Sequence, residues 1–496
     1  MAMDRDLDPA DWDAFRASAH RALDTIIEHL RSVRERPVWQ EAPDDIRAAF
    51  RTPLPSASRN FDAVLTDVDR LIVPYVTGNT HPLFMGWVHG AGTPVGMVAE
   101  MIAAGLNANC GGRNHIGLEV ERQVTRWMAE ALGLPLDCSG LFVTGSSMAN
   151  FIAVLVARTK CLGTSVRRSG LQAIPTRLTA YASSEAHQCI SQAMEIAGLG
   201  SEQLRLIATD ETRAMRIDAL ETAITADRAA GFMPFLVVAT AGSVNTGALD
   251  PIAAIANIAQ AQDLWLHIDG AIGAVAALSD ELRPLLHGIN LADSVALDFH
   301  KWMHVPYDAG FVMIRDSKLH LETFSSEAAY LSRAGSGLAR RDIWPCDLGP
   351  DLSRGFRALK TWVTLQTFGT MQLGAAMAQC CEVARYLAAQ LQASGLFVVH
   401  SPVTLNIVCF GLTSDDADQR NPRLVEALHD SGVAAPSLTY LDGHPVLRAA
   451  IVNHRTTVSD IDRFVSSLIE LAAETVGSTS DVASRQSEFS TARQTR

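Results

Sequence analysis

The chain has 496 residues with a globular composition, 48% hydrophobic and 19% charged, which is enough for two or three domains around a sizeable core. Its formal net charge of −13 argues against a nucleic-acid surface, which needs clustered Lys and Arg. No uninterrupted apolar run is long enough to span a bilayer, so no membrane partner is expected.

The N-terminal segment, residues 1–79, has the pattern of a helical arm. Asp8 followed by Pro9 predicts a helix start, because Asp caps helices and Pro suits the first turn, and the helix is expected to reach about Arg34. A stretch rich in Pro and polar residues follows and predicts a connection. The acidic start of the chain lacks the basic and apolar regions of a signal peptide, so we expect a cytoplasmic location.

The central segment, residues 80–370, alternates helical stretches with short apolar ones. This alternation predicts an α/β domain with a mainly parallel sheet. The predicted strands cover residues 140–145, 178–183, 234–242, 264–269, 294–299 and 309–314.

A smaller α/β domain is predicted over residues 371–476, with strands at 405–412 and 446–453. Its final helix is expected to begin at a Ser459 cap. Residues 477–496 are polar and weakly hydrophobic, which predicts a disordered tail. The eight cysteines contain no CxxC spacing, which favours reduced thiols over disulfides and predicts no metal site.

Two predicted strands lead into candidate contacts for an anion and a flat ring. In open α/β sheets, ligands bind at the carboxyl ends of the strands. Ser146 and Ser147, in "TGSSMAN", open a helix whose N-terminus favours a phosphate; an ordinary serine cap is the alternative. His187, beyond the next strand, could stack on a cofactor ring; the alternative is a hydrogen-bonded structural histidine.

Two further strands end on groups that suit an aldehyde cofactor. Asp269 could pair with a positively charged ring nitrogen, with Ala271 leaving room for the ring, whereas the alternative is a helix cap. Lys301 follows an apolar run, and burial depresses the pKa of a lysine amine and makes it a nucleophile toward aldehydes. The alternative is a lysine whose ammonium reaches water. Jointly, the four strand ends predict pyridoxal 5'-phosphate (PLP), which needs an anion site, a carboxylate and a lysine.

The motifs along the chain are, in order, "HPLF", "TGSSMAN", "SSEAHQCI", "VVATAGSVNTGALDPI", "HIDGAIGA", "DFHKW" and "LRAAIVNHRTT". This series resembles the group II PLP-dependent amino acid decarboxylases, a family that includes aromatic-L-amino-acid, histidine, glutamate and cysteine sulfinate decarboxylases. The resemblance runs from about residue 10 to about residue 472. It implies the aspartate-aminotransferase-like (type I) fold, a homodimer with active sites at the subunit interface, and decarboxylation of an L-amino acid to the amine and CO₂.

The resemblance also implies roles for individual residues. Lys301 matches the Schiff-base lysine, Asp269 the partner of the pyridinium nitrogen, and His187 the histidine stacked on the ring, which also assists proton transfer. Tyr330, in "AAYLS", matches the tyrosine of the catalytic loop that protonates Cα. Arg448 matches the arginine that meets a substrate carboxylate.

The remaining matches surround the phosphate and the ring. Ser146 and Ser147 match the phosphate-binding turn. Asp298 falls where the family has a polar residue near the phosphate, and His300 where it has the histidine before the lysine. Ala271 matches the small residue under the ring.

Some positions depart from the family pattern. Ser146 stands where many members have Gly, Val244 replaces a common threonine, and Ile272 sits where Tyr is frequent. The stretch "GGRNHIGLE" lacks the "SPA" that usually precedes the Glu. These changes leave the cofactor assignment intact and bear on the substrate.

Two stretches point to different substrates. Asn107, Asn109 and Arg113 lie where the family builds its side-chain pocket, and they favour a polar or acidic amino acid. Trp87 and His89, in "MGWVHG", would suit an aromatic one.

The sequence leaves three other functions open. The first is decarboxylation-dependent oxidative deamination to an aldehyde, although the presence of both His187 and Tyr330 favours simple decarboxylation. The second is another PLP reaction, such as transamination or side-chain lyase chemistry. The third is a catalytically silent binding protein, which the full set of cofactor residues argues against.

Overall fold

A computed structural model describes residues 7–325 and 333–491 of the chain. In these ranges the chain forms two β-sheets with helices packed on them. The strands are β1 (Phe84–Met85), β2 (Ser139–Val143), β3 (Leu178–Ser183), β4 (Leu204–Ile207), β5 (Met233–Thr240), β6 (Trp265–Asp269), β7 (Ser294–Asp298), β8 (Gly310–Ile314), β9 (Phe397–Val399), β10 (Ile407–Leu412), β11 (Ala435–Leu441) and β12 (His444–Ala450). The helices are α1 (Trp12–Arg31), α2 (Asp44–Ala49), α3 (Phe61–Leu71), α4 (Pro94–Leu106), α5 (Ile116–Leu132), α6 (Ser146–Leu162), α7 (Val166–Ser169), α8 (Cys189–Ile196), α9 (Ile217–Ala229), α10 (Ile252–Ala261), α11 (Ser317–Phe324), α12 (Arg357–Ala393), α13 (Ala417–Ser431) and α14 (Val458–Thr491).

The larger sheet has the strand order β2-β8-β7-β6-β5-β3-β4, and in the described part of the chain only β8 runs antiparallel to its neighbours. The predicted α/β class with a mainly parallel sheet is therefore confirmed, and each of the six strands predicted here is present. Strand β4 was not predicted, because it is a short edge strand on which Arg205 interrupts the apolar run and Leu206 is exposed.

Burial on both faces explains why the central strands are continuous apolar runs. Successive residues of β5 alternate between two core clusters: Leu236 and Val238 belong to the smaller one, and Val237 and Ala239 to the larger one. Helices α6, α8 and α11 pack over the smaller cluster. In a strand enclosed in this way, the polar residues that form the site lie at its end.

The smaller sheet has the order β1-β11-β12-β10-β9. The predicted C-terminal strands correspond to β10 and β12, and β11 pairs with β12 in an antiparallel ladder. Strand β1 comes from the segment before the large sheet, yet it pairs in parallel with β11. Helix α12 contacts both parts of the molecule and is interrupted at Gly369, whose φ of 62° is left-handed. The division of the chain into residues 1–79, 80–370, 371–476 and 477–496 stays a prediction.

Two helix caps differ from those predicted. Helix α1 is capped by Asp11 rather than by Asp8, because the Asp11 carboxylate accepts hydrogen bonds from the backbone of Asp13 and Ala14. Helix α14 is capped by Thr457 rather than by Ser459: the Thr457 hydroxyl accepts from the Asp460 backbone, and the Asp460 carboxylate accepts from the Thr457 backbone. These reciprocal bonds form a capping box.

The backbone of α14 continues to Thr491, through most of the tail for which the polar composition predicts disorder. The disorder expected of that tail stays a prediction. Within residues 7–325 and 333–491, the helices are all too short or too polar to cross a membrane.

We predict that Gly310→Ala destabilises the protein. A Cβ at position 310 would lie 2.3 Å from the Cα of Gly145, in the turn that leads into α6. Overpacking of this kind lowers the free energy of unfolding by about 1–3 kcal/mol, which denaturant melts will measure. Gly355→Ala is the control, since a Cβ there meets open space in the protomer. Equal stability of the two variants would contradict the prediction.

Candidate active site

The carboxyl edge of the larger sheet brings most of the predicted site residues together. Asp298, the last residue of β7, pairs with Gly310 of β8, which in turn pairs with Val143 at the end of β2. Helix α6 begins just after β2, so its N-terminus lies beside Asp298. Asp269 ends the adjacent strand β6.

The carboxylate of Asp298 is the central contact of this edge. It is 1% exposed, and its Oδ1 accepts a hydrogen bond of 2.7 Å from the backbone nitrogen of Ser146, the first residue of α6. Its Oδ2 lies 3.0 Å from the Nζ of Lys301. Ser146 is itself buried, whereas Ser147 is exposed at the same helix end. One buried carboxylate thus joins the helix N-terminus to the lysine.

This ion pair corrects the expectation that the pKa of Lys301 is depressed. Burial of Lys301 lowers the pKa of its ammonium, but Asp298, Asp269 and Tyr307 together raise it by more. The net pKa in this structure is therefore raised. The Lys301 side chain remains 22% exposed, so its amine is accessible from the site.

His300 and Tyr307 form one wall next to Lys301. The Nδ1 of His300 accepts a hydrogen bond of 2.9 Å from the backbone of Ala309, and burial lowers the pKa of its imidazole. The Tyr307 ring lies 4.4 Å from the His300 ring, and its hydroxyl accepts a bond of 3.4 Å from the backbone of Gly90. Tyr307 was missed in the sequence; the only available signal was an aromatic residue shortly after Lys301.

Asp269 and His187 complete the floor of the site. Burial raises the pKa of the Asp269 carboxyl, while the nearby Lys301 opposes the shift. The Oδ1 of Asp269 accepts a hydrogen bond of 3.3 Å from the backbone of Ala271, so Ala271 lies beside the carboxylate. The Nδ1 of His187 accepts a bond of 3.1 Å from the backbone of Cys189. His187 has an exposed face, and burial of the rest of its ring lowers its pKa, which keeps it neutral near pH 7.

Arg448, on β12, reaches from the smaller sheet toward the turn after β5. Its guanidinium donates to the backbone carbonyl of Val244 at 2.9 Å, to Asn245 Oδ1 at 3.3 Å and to Ser437 Oγ at 3.1 Å. It is 5% exposed and has no ion pair in the described ranges. Burial lowers the pKa of this guanidinium. A buried cation without a carboxylate partner is suited to a carboxylate from solution.

The loop after β1 supplies an aromatic wall. The rings of Phe84, Trp87 and His89 lie 5.7–6.2 Å apart, and the His89 ring is 6.2 Å from that of Tyr307. The loop is close to the lysine, because a Cβ on Gly90 would be only 2.5 Å from the carbonyl oxygen of Lys301. At its other end, the Trp87 backbone donates to Ser437, the partner of Arg448.

The segment with Asn107 and Asn109 makes its contacts elsewhere in the protomer. Asn107 ends α4 in a left-handed conformation, and the Oδ1 of Asn109 accepts from the backbones of Gly111 and Arg354. Among the described residues, neither bonds to Lys301. Tyr330 lies outside the described residues, so its assignment stays a prediction.

The arrangement fits PLP. Asp269 is a buried carboxylate with a single hydrogen bond and, within the described ranges, no ion pair, so a protonated ring nitrogen would supply its missing cation. The N-terminus of α6 exposes Ser147 to an anion. Lys301 presents an accessible amine between these two groups. In the part of the chain that the structure describes, no cluster of three or more His, Cys, Asp or Glu side chains could hold a metal ion.

Comparisons with known proteins agree with this chemistry. The family profile "Pyridoxal-dependent decarboxylase conserved domain" matches residues 43–413. The chain is 31% identical to an aromatic-L-amino-acid decarboxylase of Bacillus atrophaeus, over 93% of this chain and 96% of the relative. It is 30% identical to tyrosine decarboxylase 2 of Narcissus pseudonarcissus, over 90% and 92% of the two chains.

Among solved structures, the Oryza sativa TDC with PLP and tryptamine superposes with a TM-score of 0.86 at 26% identity, covering 95% of this chain and all of that one. These matches confirm both the type I fold and the group II resemblance. The chain therefore belongs to the pyridoxal-dependent decarboxylase family and is a PLP-dependent amino acid decarboxylase, a carboxy-lyase.

Proposed function

We propose that the substrate is an aromatic L-amino acid, which loses its carboxylate as CO₂ and leaves as the amine. The observation that carries this proposal is the wall of Phe84, Trp87, His89 and Tyr307 beside Lys301. Aromatic rings pair favourably in offset and edge-to-face arrangements, so such a wall suits a substrate ring. Trp87 is 51% exposed in the protomer, which leaves its ring free to contact a ligand.

This proposal replaces the preference for a polar or acidic substrate. That preference depended on Arg113 and the two neighbouring asparagines. The guanidinium of Arg113 lies 4.9 Å from the centre of the Trp344 ring. Arg113 therefore already makes a cation–π contact within the protomer. The names of two relatives, an aromatic-L-amino-acid decarboxylase and a tyrosine decarboxylase, also support an aromatic substrate.

The cofactor, when bound, would supply an aldehyde for amines and a ring that accepts the electron pair left on Cα when CO₂ departs. We assign to Lys301 the amine that would hold the cofactor through its aldehyde. Asp269 keeps a proton on the ring nitrogen, because an anionic carboxylate at this buried position favours a cationic neighbour. Ser146, Ser147 and the N-terminus of α6 bind the phosphate.

The remaining roles concern the substrate. Arg448 binds and orients the carboxylate, which its place between Ser437 and Val244 allows. His187 is neutral near pH 7 and carries its proton on Nε2, since its Nδ1 accepts from a backbone nitrogen. It covers one face of the ring and assists the proton movement that Tyr330 completes at Cα.

We further propose a homodimer with active sites at the interface. Helix α4 exposes Val98, Met101, Ile102 and Leu106, and these apolar side chains lie on the helix that ends at Asn107. An exposed apolar face of this kind marks an interaction surface. A partner that packs against this face would have its active-site pocket near Asn107 and Asn109 of this protomer. The cytoplasmic location expected from the sequence stays a prediction.

The substrate assignment predicts the outcome of an amino acid screen. Purified holoenzyme should release CO₂ and the amine from L-tyrosine, L-phenylalanine or L-tryptophan, and release none from L-glutamate or L-cysteine sulfinate. Trp87→Ala should raise KM for the aromatic substrate by about tenfold, because it removes one ring contact. Leu206→Ala, at an exposed position of the edge strand β4, is the control. Activity on acidic substrates alone would refute the aromatic class. Formation of an aldehyde with stoichiometric hydrogen peroxide would show oxidative deamination in place of decarboxylation to the amine.

The Asp298–Lys301 pair predicts how fast the cofactor-free protein captures an aldehyde. Asp298→Asn removes the contact that raises the pKa of Lys301, so more of the amine is neutral at a given pH below that pKa. Each pKa unit of decrease gives a roughly tenfold larger neutral fraction. Pyridoxal, which lacks the phosphate, is the probe, and its absorbance change gives the rate. The pH midpoint of this rate should move down in Asp298→Asn; an unmoved midpoint would show that the pair does not control the amine.

The dimer predicts a solution mass of twice 53.4 kDa. Light scattering after size exclusion measures it directly. Met101→Asp should shift the mass toward the monomer, because it places a charge on the apolar face of α4. Glu195→Asp, on α8, serves as the control. A monomeric wild-type protein with full activity would contradict the shared site.

A further inference from the structure

A continuous chain of buried hydrogen bonds leads from the core of the larger sheet toward His187. The Nε1 of Trp265 donates to Ser294 Oγ at 2.7 Å. The same oxygen lies 2.8 Å from the Nδ1 of His267, and the Nε2 of His267 lies 2.7 Å from the Oδ1 of Asn150. Both His267 and Asn150 are completely buried, at 0% exposure.

The direction of each bond follows from the chemistry of the groups. Burial lowers the pKa of His267 to about 3, so its ring is neutral and has one donor and one acceptor. The carbonyl oxygen of Asn150 can only accept, so the proton of His267 is on Nε2 and its Nδ1 accepts from Ser294. The amide nitrogen of Asn150 then donates to the Sγ of Cys189 at 3.1 Å. Each member is satisfied, which makes a buried network rigid.

Cys189 connects this network to the site. It is the first residue of α8, and its backbone nitrogen donates to the Nδ1 of His187 at 3.1 Å. Burial raises the pKa of its thiol to about 12, so the sulfur stays neutral and keeps accepting from Asn150. Helix α6 and the first turn of α8 are thereby fixed to each other, and the tautomer of His187 is fixed with them.

We propose that Asn150 is a positioning residue for decarboxylation: through the Cys189 thiol it holds the first turn of α8, and with it the ring of His187, in its working orientation. The inference rests on the role proposed above for His187. No hydrogen bond or ion pair in the described ranges links Asn150 directly to Lys301 or Asp269. Its link toward His187 runs through Cys189, while its bond to His267 leads to β6, the strand that ends at Asp269. Misplacement of a catalytic group by a fraction of an ångström lowers turnover without abolishing binding.

Three variants of the holoenzyme test this network. Asn150→Leu removes both of its hydrogen bonds at similar volume, Cys189→Ala removes the acceptor, and Cys189→Ser keeps an acceptor. Thr159→Val is the control, because Thr159 is buried on the same helix and, among the described residues, its hydroxyl bonds only to the Leu155 carbonyl. The readouts are kcat, KM and the circular dichroism of the bound cofactor, which reports the geometry of its surroundings.

We expect Asn150→Leu and Cys189→Ala to lower kcat by about tenfold with less than a twofold change in KM, and to weaken the cofactor dichroism. Cys189→Ser should restore most of kcat, and Thr159→Val should match the wild type. Wild-type kcat and dichroism in Asn150→Leu would overturn the proposal. If Asn150→Leu fails to fold, the contrast between Cys189→Ala and Cys189→Ser decides in its place.

A His187→Gln background separates positioning from general packing. There, Asn150→Leu should change the remaining kcat by less than about twofold, because the residue that it positions is already gone. The same tenfold loss in both backgrounds would overturn the proposal in favour of a packing effect. Wild-type kcat in His187→Gln alone would instead refute the role of His187, and the dichroism of Asn150→Leu would then decide whether the network still orders the site.

Discussion

The buried carboxylate of Asp298 is the contact on which the rest of the site depends. One of its oxygens accepts from the backbone of Ser146 and the other pairs with Lys301, so a single side chain positions a helix N-terminus and an amine at once. It can do so only because β7, β8 and β2 share one register, with Asp298, Gly310 and Val143 in line. The register of the sheet therefore sets the distance between the N-terminus of α6 and the amine of Lys301.

Burial acts on the titratable groups of the site in opposite ways. It raises the pKa of the Asp269 carboxyl and lowers the pKa values of the His187 and His300 imidazoles. The pKa of Lys301 departs from this pattern because the anionic groups around it, chiefly Asp298, together outweigh the effect of its burial. The imidazoles are thus neutral donors and acceptors near pH 7, while the positive charge is held at Lys301.

Much of this could be predicted from the sequence, for a physical reason. Strands buried on both faces admit few polar residues, so a polar residue at a strand end is conspicuous, and parallel strands bring their carboxyl ends to one edge. Asp269 and Lys301 were predicted in this way, whereas Asp298 was assigned through the family resemblance. Their meeting is a consequence of topology, which the order of helices and strands determines.

Other features depend on interatomic distances in the folded protein, which no local sequence pattern shows. The sign of the Lys301 pKa shift follows from a separation of 3.0 Å from Asp298. Tyr307 reaches the site because its loop runs back toward Gly90. Arg448 contacts Val244, a residue far from it in the sequence that follows a strand of the other sheet. The pairing of β1 with β11 was missed for the same reason, because two residues are too few to show a strand pattern.

That pairing has a consequence for specificity. Phe84, Trp87 and His89 of the aromatic wall lie in or just after β1 and so are attached to the smaller sheet, as is Arg448. Tyr307, Lys301 and Asp269 are attached to the larger sheet. The groups that we propose to select the amino acid and the groups that we propose to carry out the chemistry are therefore attached mainly to different sheets. A change far from the pocket that alters the tilt between the two sheets would change which substrates fit, while the reaction itself stayed the same.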